Sequence, residues 1–324
     1  MKEEEIRPRK IFDEYMRLAA IDADKYFSDA FRHEITCPAC CSEGVFAFHK
    51  HGFSYKECSV CQTLFVSPRP PAESFYRYYK ESDSAQFFAT TFYKETADAR
   101  REKLWRQKAQ MITEKLRGNG AEFHTLIDIG GGYGIFAEEY GRITSRLVTV
   151  IEPGPELAQA CRQKGLPVIE TFLEKVKTGQ LPIGPKAFVS FELFEHLHDA
   201  GIFLKHLRSL MQPGDMFLFT TLSGTGVDIQ ALWENSKSIS LQHLNLFNPK
   251  SIRLLIERFG LYLVEVTTPG KLDIDILYNN RTLINDRFWR NFVCQATEIE
   301  RQQWQEFIAL NGWSSHMSVV CRCP

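Results

Sequence analysis

A glycine-rich stretch from Asp128 to Gly134 carries the clearest chemical signal in this sequence of 324 residues. It reads Asp-Ile-Gly-Gly-Gly-Tyr-Gly, between an apolar run that begins at Thr125 and a segment of helical character that begins at Ile135. A strand, a glycine loop and a helix in this order bind nucleotide-like ligands, because glycine lets the backbone approach closely and adopt φ values that other residues avoid. We therefore expect a nucleotide-like ligand at this loop.

A second acid, Glu152, follows the next apolar run, residues 147–151. A carboxylate can accept two hydrogen bonds, so an acid at this strand end suits both hydroxyls of a ribose. A dinucleotide fingerprint would need a small residue where this chain has Ile135, so the loop does not favour NAD. An ordinary tight turn in front of a helix is the alternative, but it leaves the strand-end acid unexplained.

The pattern Asp-x-Gly-x-Gly-x-Gly resembles motif I of class I S-adenosylmethionine (SAM)-dependent methyltransferases. The resemblance implies that SAM is the cofactor and that Glu152 binds its ribose. It also implies that the loop surrounds the methionine end and the ribose. The cofactor-binding residues expected from it are Asp128, Gly130, Gly131, Gly132, Gly134, Glu152, Phe191 and Glu192.

Two Cys-x-x-Cys pairs, with seventeen residues between them, predict a metal site at Cys37, Cys40, Cys58 and Cys61. This spacing is typical of zinc ribbons, and four thiolates complete the tetrahedral coordination of a structural Zn²⁺. A module of about forty residues buries little core, so the metal would contribute to its folding. Buried free cysteines are the alternative. Other nearby ligands also stay open, namely His33, Cys41, His49 and His51.

Acids and histidines cluster after the predicted fourth strand and before a later helix. Glu192, Glu195 and His196 follow that strand, and His243 precedes the helix that starts near Pro249. Ligands of open α/β sheets bind outside the carboxyl ends of the strands, so we expect these residues at the mouth of the pocket. A histidine titrates near neutral pH and suits removal of a proton from an acceptor. His196 and His243 are therefore the predicted catalytic residues; two ordinary loop histidines are the alternative.

The Glu-x-x-Glu-His pattern with a later histidine also resembles two methyltransferase groups. These are the ubiquinone-type O-methyltransferases and the small-RNA terminal 2′-O-methyltransferases. The second resemblance implies a divalent ion such as Mg²⁺ at Glu192, Glu195, His196 and His243, where it would polarise an acceptor hydroxyl. In the alternative, no metal binds. Glu192 then lies by the methionine end, while Glu195 and His196 cap a helix and line the pocket.

From residue 123 onward, strand-like and helix-like segments alternate, which predicts a doubly wound α/β sheet. The predicted strands are 124–130, 147–152, 167–170, 187–194, 215–222, 261–268 and 317–323. The predicted helices are 133–142, 155–165, 198–211 and 249–260. The methyltransferase resemblance implies a Rossmann-like sheet of seven strands, the last antiparallel, with a helical insertion at 270–314. Cys161 and Cys294 are interpreted as core residues.

Three domains are expected along the chain. Residues 1–70 would hold a helix, over residues 1–30, and the zinc ribbon, before the prolines near residue 70 break the chain. Residues 71–122 would form an aromatic-rich helical linker, either a lid over the cofactor or a helical pair that fills its own core. Residues 123–324 would form the SAM-binding domain.

The chain as a whole is similar to bacterial class I methyltransferases with an N-terminal zinc-binding module. The segments that carry this similarity are residues 37–40, 50–53, 58–70 and 243–249, the motif I loop, and the stretches 268–276 and 311–320. The similarity implies a small-molecule or sugar acceptor in a polysaccharide or natural-product pathway. One departure is Lys186, because the family usually has an aspartate just before the fourth strand.

Composition limits the class of protein. The formal net charge is −1 and the pI is about 6.8, which does not favour a nucleic-acid partner. No apolar run approaches the ~18 residues of a membrane helix, and the N-terminus lacks the apolar core of a signal peptide. We expect a soluble, cytoplasmic enzyme with reduced cysteines. An RNA 2′-O-methyltransferase and a non-catalytic SAM-binding module remain the alternative functions.

Overall fold

Apolar runs and turn residues divide the chain largely where the sequence predicts. The structure, a computed structural model, describes residues 2–28 and 31–324. Its α-helices are α1 (Glu3–Ile6), α2 (Arg9–Phe27), α3 (Ala72–Glu81), α4 (Asp83–Phe87), α5 (Tyr93–Arg100), α6 (Arg106–Gly118), α7 (Ile135–Thr144), α8 (Pro155–Gln163), α9 (Ala200–Leu210), α10 (Val227–Leu232), α11 (Pro249–Arg258), α12 (Asp273–Asn279), α13 (Arg287–Gln295) and α14 (Glu298–Leu310). Single π-helical turns follow α4 and α5, at Phe88–Phe92 and Arg101–Trp105.

The strands form two sheets. They are β1 (Gly44–Lys50), β2 (Phe53–Cys58), β3 (Leu64–Val66), β4 (Thr125–Ile129), β5 (Val148–Ile151), β6 (Val168–Ile169), β7 (Lys186–Phe191), β8 (Met216–Leu222), β9 (Asn245–Leu246), β10 (Tyr262–Thr267) and β11 (His316–Arg322). Contacts divide the chain into two compact units, which are described separately below.

The helix starts follow the residue chemistry. Pro8 precedes α2, and since proline has no N–H to donate, the predicted N-terminal helix is interrupted there into α1 and α2. The end of that prediction, at residues 29 and 30, lies outside the described residues. Pro155 begins α8, and Asn248 caps α11 because its Oδ1 accepts a 2.9 Å hydrogen bond from the N–H of Ser251.

The first unit consists of Met1–Asp98, Leu222–Ile252 and Thr267–Met317. Its sheet has the order β1-β2-β3-β9 and is antiparallel throughout. Strands β1 and β2 form a hairpin between the two cysteine pairs, in which Gly44 on β1 pairs with Cys58 on β2. Buried aromatic and aliphatic side chains cover this sheet, among them Phe27, Phe53, Tyr55, Leu64 and Tyr78.

The second unit consists of Ala99–Thr221, Arg253–Val266 and Ser318–Pro324. It carries the predicted seven-stranded sheet, in the order β10-β11-β8-β7-β4-β5-β6. Strands β5, β4, β7 and β8 run parallel. Strand β11 runs against β8, because Cys323, just after β11, exchanges backbone hydrogen bonds with Gly214 and Asp215, just before β8.

The central strands of the large sheet are buried on both faces, as their nearly continuous apolar sequences predict. Helices α6 and α7 contribute Ile112, Leu116, Phe136 and Tyr140 to this core. Cys161 is part of it, as predicted.

The prediction for Cys294 is wrong, because this side chain is exposed on α13. Its neighbour Val293 is fully buried, and each step along an α-helix turns the side chain by about 100°. Within residues 2–28 and 31–324, no helix has both the length and the apolar character that a membrane crossing requires.

Candidate active site

The glycine loop joins β4 to α7 at the carboxyl edge of the large sheet. Gly132 has φ of 56°, a left-handed conformation that favours glycine. A Cβ atom on Gly131 would lie 2.6 Å from Cγ1 of Val150 and 2.9 Å from Oδ2 of Asp128. The loop therefore lies against β4 and β5 at Gly131, where there is no space for a side chain, whereas the requirement for glycine at Gly132 comes from its backbone conformation alone.

The carboxylate of Glu152 is bonded to this loop. Its Oε2 accepts a hydrogen bond of 2.8 Å from the N–H of Gly132, and its Oε1 accepts one of 2.9 Å from Gly154. Burial raises the pKa of Glu152, and the two backbone N–H donors oppose that shift. Each carboxylate oxygen keeps a second lone pair, so a ligand hydroxyl can be accepted as well.

Asp128 is fully buried at the end of β4. Among the residues that the structure describes, neither of its carboxyl oxygens has a hydrogen-bond partner. Burial, with a further contribution from the charge of Glu152, raises the pKa of Asp128 to about 8. A buried polar group without a partner is destabilising, so its presence beside the loop indicates a place for the polar groups of a ligand. The donor-rich ribose and methionine end of SAM fit this requirement.

Glu192 follows β7 and forms an ion pair that the sequence did not reveal. The ammonium nitrogen of Lys108, on α6, lies 2.6 Å from Oε1 of Glu192 and 3.0 Å from Oγ1 of Thr220. Glu192 has φ of 50°, which is strained for a residue with a side chain and is frequent at functional sites. Phe191, by contrast, belongs to the core, where its ring packs 4.4 Å from that of Phe136.

Glu195 and His196 lie in a single 3₁₀ turn, Phe194–His196. The buried carboxyl group of Glu195 accepts a 2.8 Å hydrogen bond from Oγ1 of Thr221. Burial is the main cause of the pKa increase of Glu195 to about 8, and the charge of Glu192 adds to it. The structure therefore brings Glu192 and Glu195 together, at the carboxyl edge that also holds the glycine loop.

His243 belongs to the first unit and lies in the loop before β9. Its Nδ1 is 2.7 Å from the carbonyl oxygen of Ser238 and 3.3 Å from the backbone nitrogen of Ser240. The carbonyl oxygen of Ser238 can only accept a hydrogen bond, whereas the N–H of Ser240 donates one, so the two contacts require opposite states of Nδ1. Both contacts orient the imidazole ring.

The four predicted cysteines come together in the first unit. Their sulfur atoms all lie within 4.8 Å of one another, with Cys40 at 3.4 Å from Cys58 and 3.5 Å from Cys61. A tetrahedron with Zn–S bonds of about 2.3 Å has S–S edges of about 3.8 Å, so the cluster fits a zinc ion. In the part of the chain that the structure describes, this group of possible metal ligands consists of the four cysteines alone. It includes no histidine, and Cys41 is not part of it.

The second cysteine knuckle is joined to the start of α11. The side-chain amide of Asn248 donates a 2.8 Å hydrogen bond to the carbonyl oxygen of Cys61, and Lys250 donates one of 2.6 Å to that of Val60. These contacts stabilise the knuckle from outside the cluster, as is common around metal sites.

Comparisons with known proteins agree with the fold. A family model described as a methyltransferase domain matches residues 95–266. A curated relative, the ubiquinone biosynthesis O-methyltransferase of Paramagnetospirillum magneticum (strain ATCC 700264 / AMB-1), is 32% identical over 108 residues. That match covers 31% of this chain and 41% of the relative, so it spans less than half of that enzyme.

Two solved structures are similar to this chain at low sequence identity. The plantazolicin methyltransferase BpumL in complex with SAH has a TM-score of 0.50 and 12% identity, over 76% of this chain and 93% of its own. The magnesium protoporphyrin IX methyltransferase from Synechocystis PCC 6803 with bound SAH has a TM-score of 0.47 and 11% identity, over 78% of this chain and 100% of its own. Since the family model covers more than half of the chain, the protein belongs to the methyltransferase-domain family.

Proposed function

We propose that the protein transfers the methyl group of SAM to a small-molecule or sugar acceptor, in a polysaccharide or natural-product pathway. The observation that carries the cofactor part is the bond between Glu152 and Gly132, beside the buried carboxyl group of Asp128. The acceptor part is supported by the net charge of −1, which does not favour nucleic acid, and by the curated relative, which acts in ubiquinone biosynthesis.

In this proposal the cofactor-binding residues have distinct roles. Glu152 accepts the ribose hydroxyls, while Asp128 and the glycine loop contact the ribose and the methionine end. Phe191 supports the floor of the site and Glu192 faces the methionine end. When bound, SAM supplies an electrophilic methyl group on a sulfonium. The protein positions the acceptor for in-line attack and removes its proton.

His196 and His243 are the proposed groups for proton removal or for orientation of the acceptor. The contact of 2.7 Å between Nδ1 of His243 and the carbonyl oxygen of Ser238 supports this role, because it orients the imidazole ring. Glu192 is paired with Lys108, and Glu195 is bonded to Thr221. The ion pair with Lys108 favours the interpretation in which Glu192 is not a ligand of a divalent ion.

We also propose that Cys37, Cys40, Cys58 and Cys61 bind a structural Zn²⁺. Four thiolates fill the coordination sphere, so such an ion has no open position for substrate. Its contribution would be to the folding of the small sheet, since β2 ends at Cys58.

The acceptor can be found with SAM that carries a labelled methyl group. The enzyme is incubated with small-molecule extract, with nucleotide sugars and with total RNA in parallel, and the formation of SAH is measured. The proposal predicts label in the small-molecule or sugar fraction. Label in RNA alone, with activity that falls steeply with salt, would instead support the 2′-O-methyltransferase alternative. Binding of SAM without turnover on any fraction would favour the non-catalytic module.

A further inference from the structure

Lys108 is a mostly buried cation at the edge of the proposed SAM site, and its position suggests a specific task. Its side chain is 13% exposed, and its ammonium nitrogen bonds to Glu192 and Thr220. The same nitrogen lies 5.3 Å from the ring centre of Trp105 and 5.1 Å from that of Phe191. These contacts hold the charge in one place, as a binding site needs.

The strand register places this cation next to the glycine loop. Ile129 on β4 is paired with Ser190 on β7, so the residues that follow each strand leave the sheet side by side. A Cβ atom on Gly130 would lie 3.3 Å from Cδ2 of Leu193, the residue after Glu192. Leu193 therefore lies against the glycine loop, and Glu192, whose carboxylate Lys108 contacts, is its neighbour in the chain.

Structural stabilisation is a weak explanation for this ion pair. The side chain of Lys108 is 13% exposed and that of Glu192 is 34% exposed. Such a pair gains little net stability, because solvent screens the attraction on one side and the desolvation of the lysine opposes it on the other. The strained backbone of Glu192, at φ of 50°, adds to the cost of keeping the pair. Such an arrangement is more common where a ligand uses the charges.

The charges match the amino-acid end of the cofactor. The methionine end of SAM has an ammonium and a carboxylate on the same carbon, so it needs an anion and a cation close together. Glu192 and Lys108 provide these in one contact of 2.6 Å. An ammonium has three N–H donors, and among the described residues the hydrogen bonds of Lys108 to Glu192 and Thr220 use two of them.

We propose that Lys108 binds the carboxylate of the methionine end of SAM and thereby selects a cofactor that retains this group. This inference rests on the proposed SAM site and assigns one residue within it. Charge-assisted hydrogen bonds of this kind change affinity by about tenfold to a hundredfold.

The test compares SAM with decarboxylated SAM, which keeps the sulfonium and the amine and lacks only the carboxylate. Calorimetry on the wild-type protein should show SAM bound about tenfold to a hundredfold more tightly. Lys108→Met should weaken the binding of SAM by about that factor and leave the affinity for decarboxylated SAM within about twofold of the wild-type value. Lys108→Arg should retain most of the preference for SAM over decarboxylated SAM.

Lys115→Met is the matched control, because Lys115 lies on the same helix and its side chain, 17% exposed, is paired with Glu265 on β10. It should leave the ratio of the two affinities unchanged. Equal affinity of the wild-type protein for both cofactors would overturn the inference without any variant. An equal loss for both cofactors in Lys108→Met would overturn it too. Failure of the wild-type protein to bind SAM at all would instead contradict the proposed function.

Discussion

The backbone N–H of Gly132 donates a 2.8 Å hydrogen bond to Oε2 of Glu152. This bond joins the loop after β4 to the acid after β5, two strands that are parallel neighbours in the sheet. The same carboxylate also accepts from Gly154, so it fixes both loops that would contact a nucleoside. A single side chain thus determines the shape of the proposed cofactor site.

Replacement of Glu152 should therefore weaken cofactor binding strongly. Glu152→Ala removes both the backbone contacts and the expected ribose contacts, and we expect a loss of SAM affinity of about a hundredfold or more. Glu152→Gln should lose less affinity for SAM, because the amide oxygen of glutamine still accepts a hydrogen bond. Calorimetry with SAM measures both. Glu170→Ala is the control, since Glu170 lies just after β6, the next strand, and is exposed. Unchanged affinity in Glu152→Ala would refute the assignment.

Asp128 should make the stability of the ligand-free protein depend on pH. Its native pKa of about 8 lies above its ordinary value of 3.8, so the native state binds the proton more tightly than the unfolded state. The contribution of this group to the free energy of unfolding therefore falls as pH rises from about 4 to about 8. Asp128→Asn has no charge to bury, so its stability relative to wild type should increase over this range.

Urea unfolding of Asp128→Asn and wild type at pH 5.5, 7 and 8.5 measures this difference. The comparison removes the contribution of Glu195, whose pKa is raised by burial in both proteins. If the difference in the free energy of unfolding between the two proteins were the same at all three pH values, Asp128 would not titrate between about pH 4 and pH 8. If its carboxyl group also contacts the cofactor, the variant should bind SAM more weakly even where it is more stable.

Loss of one cysteine should release the metal. Cys58→Ser removes one of four sulfur ligands at the end of β2, so we expect less than stoichiometric zinc and a destabilised small sheet. Metal analysis and thermal unfolding of the purified protein measure these effects. Cys41→Ser, which changes an exposed cysteine outside the cluster, should keep one zinc per chain. Full zinc content in Cys58→Ser would count against the ribbon.

The histidine variants separate catalysis from cofactor binding. With an acceptor in hand, His243→Ala and His196→Ala should each reduce turnover by about a hundredfold or more if the residue removes the proton. The affinity for SAM should change little. His49→Ala, at an exposed position on β1, is the control. Full turnover in both variants would exclude both residues from catalysis.

The sequence was informative where local chemistry decides the structure. The glycine loop and the cysteine pairs follow from residue type and spacing, because only certain residues adopt these turns or bind zinc. The sheet of seven strands with its last strand antiparallel needed the family resemblance in addition, since alternation alone gives only an α/β class. The place of Glu152 at a strand end followed from the apolar run before it.

The sequence was silent where distant segments meet. Lys108 and Glu192 are separated by 84 positions, and a lysine on a helix is more often solvated than paired. The pairing of Leu64 with Leu246, which adds β9 to the small sheet, had no local signal either. Cys294 shows the limit of the helical pattern, because an error of one position moves a side chain from the core to the surface.

The most direct test of the account is calorimetry of the purified protein with SAM, SAH and NAD. We predict saturable binding of SAM and SAH at one site per chain and no binding of NAD, because Ile135 occupies the place where a dinucleotide loop needs a small residue. Saturation by NAD with no heat from SAM would contradict the central claim that the loop from Asp128 to Gly134 binds the methyl donor.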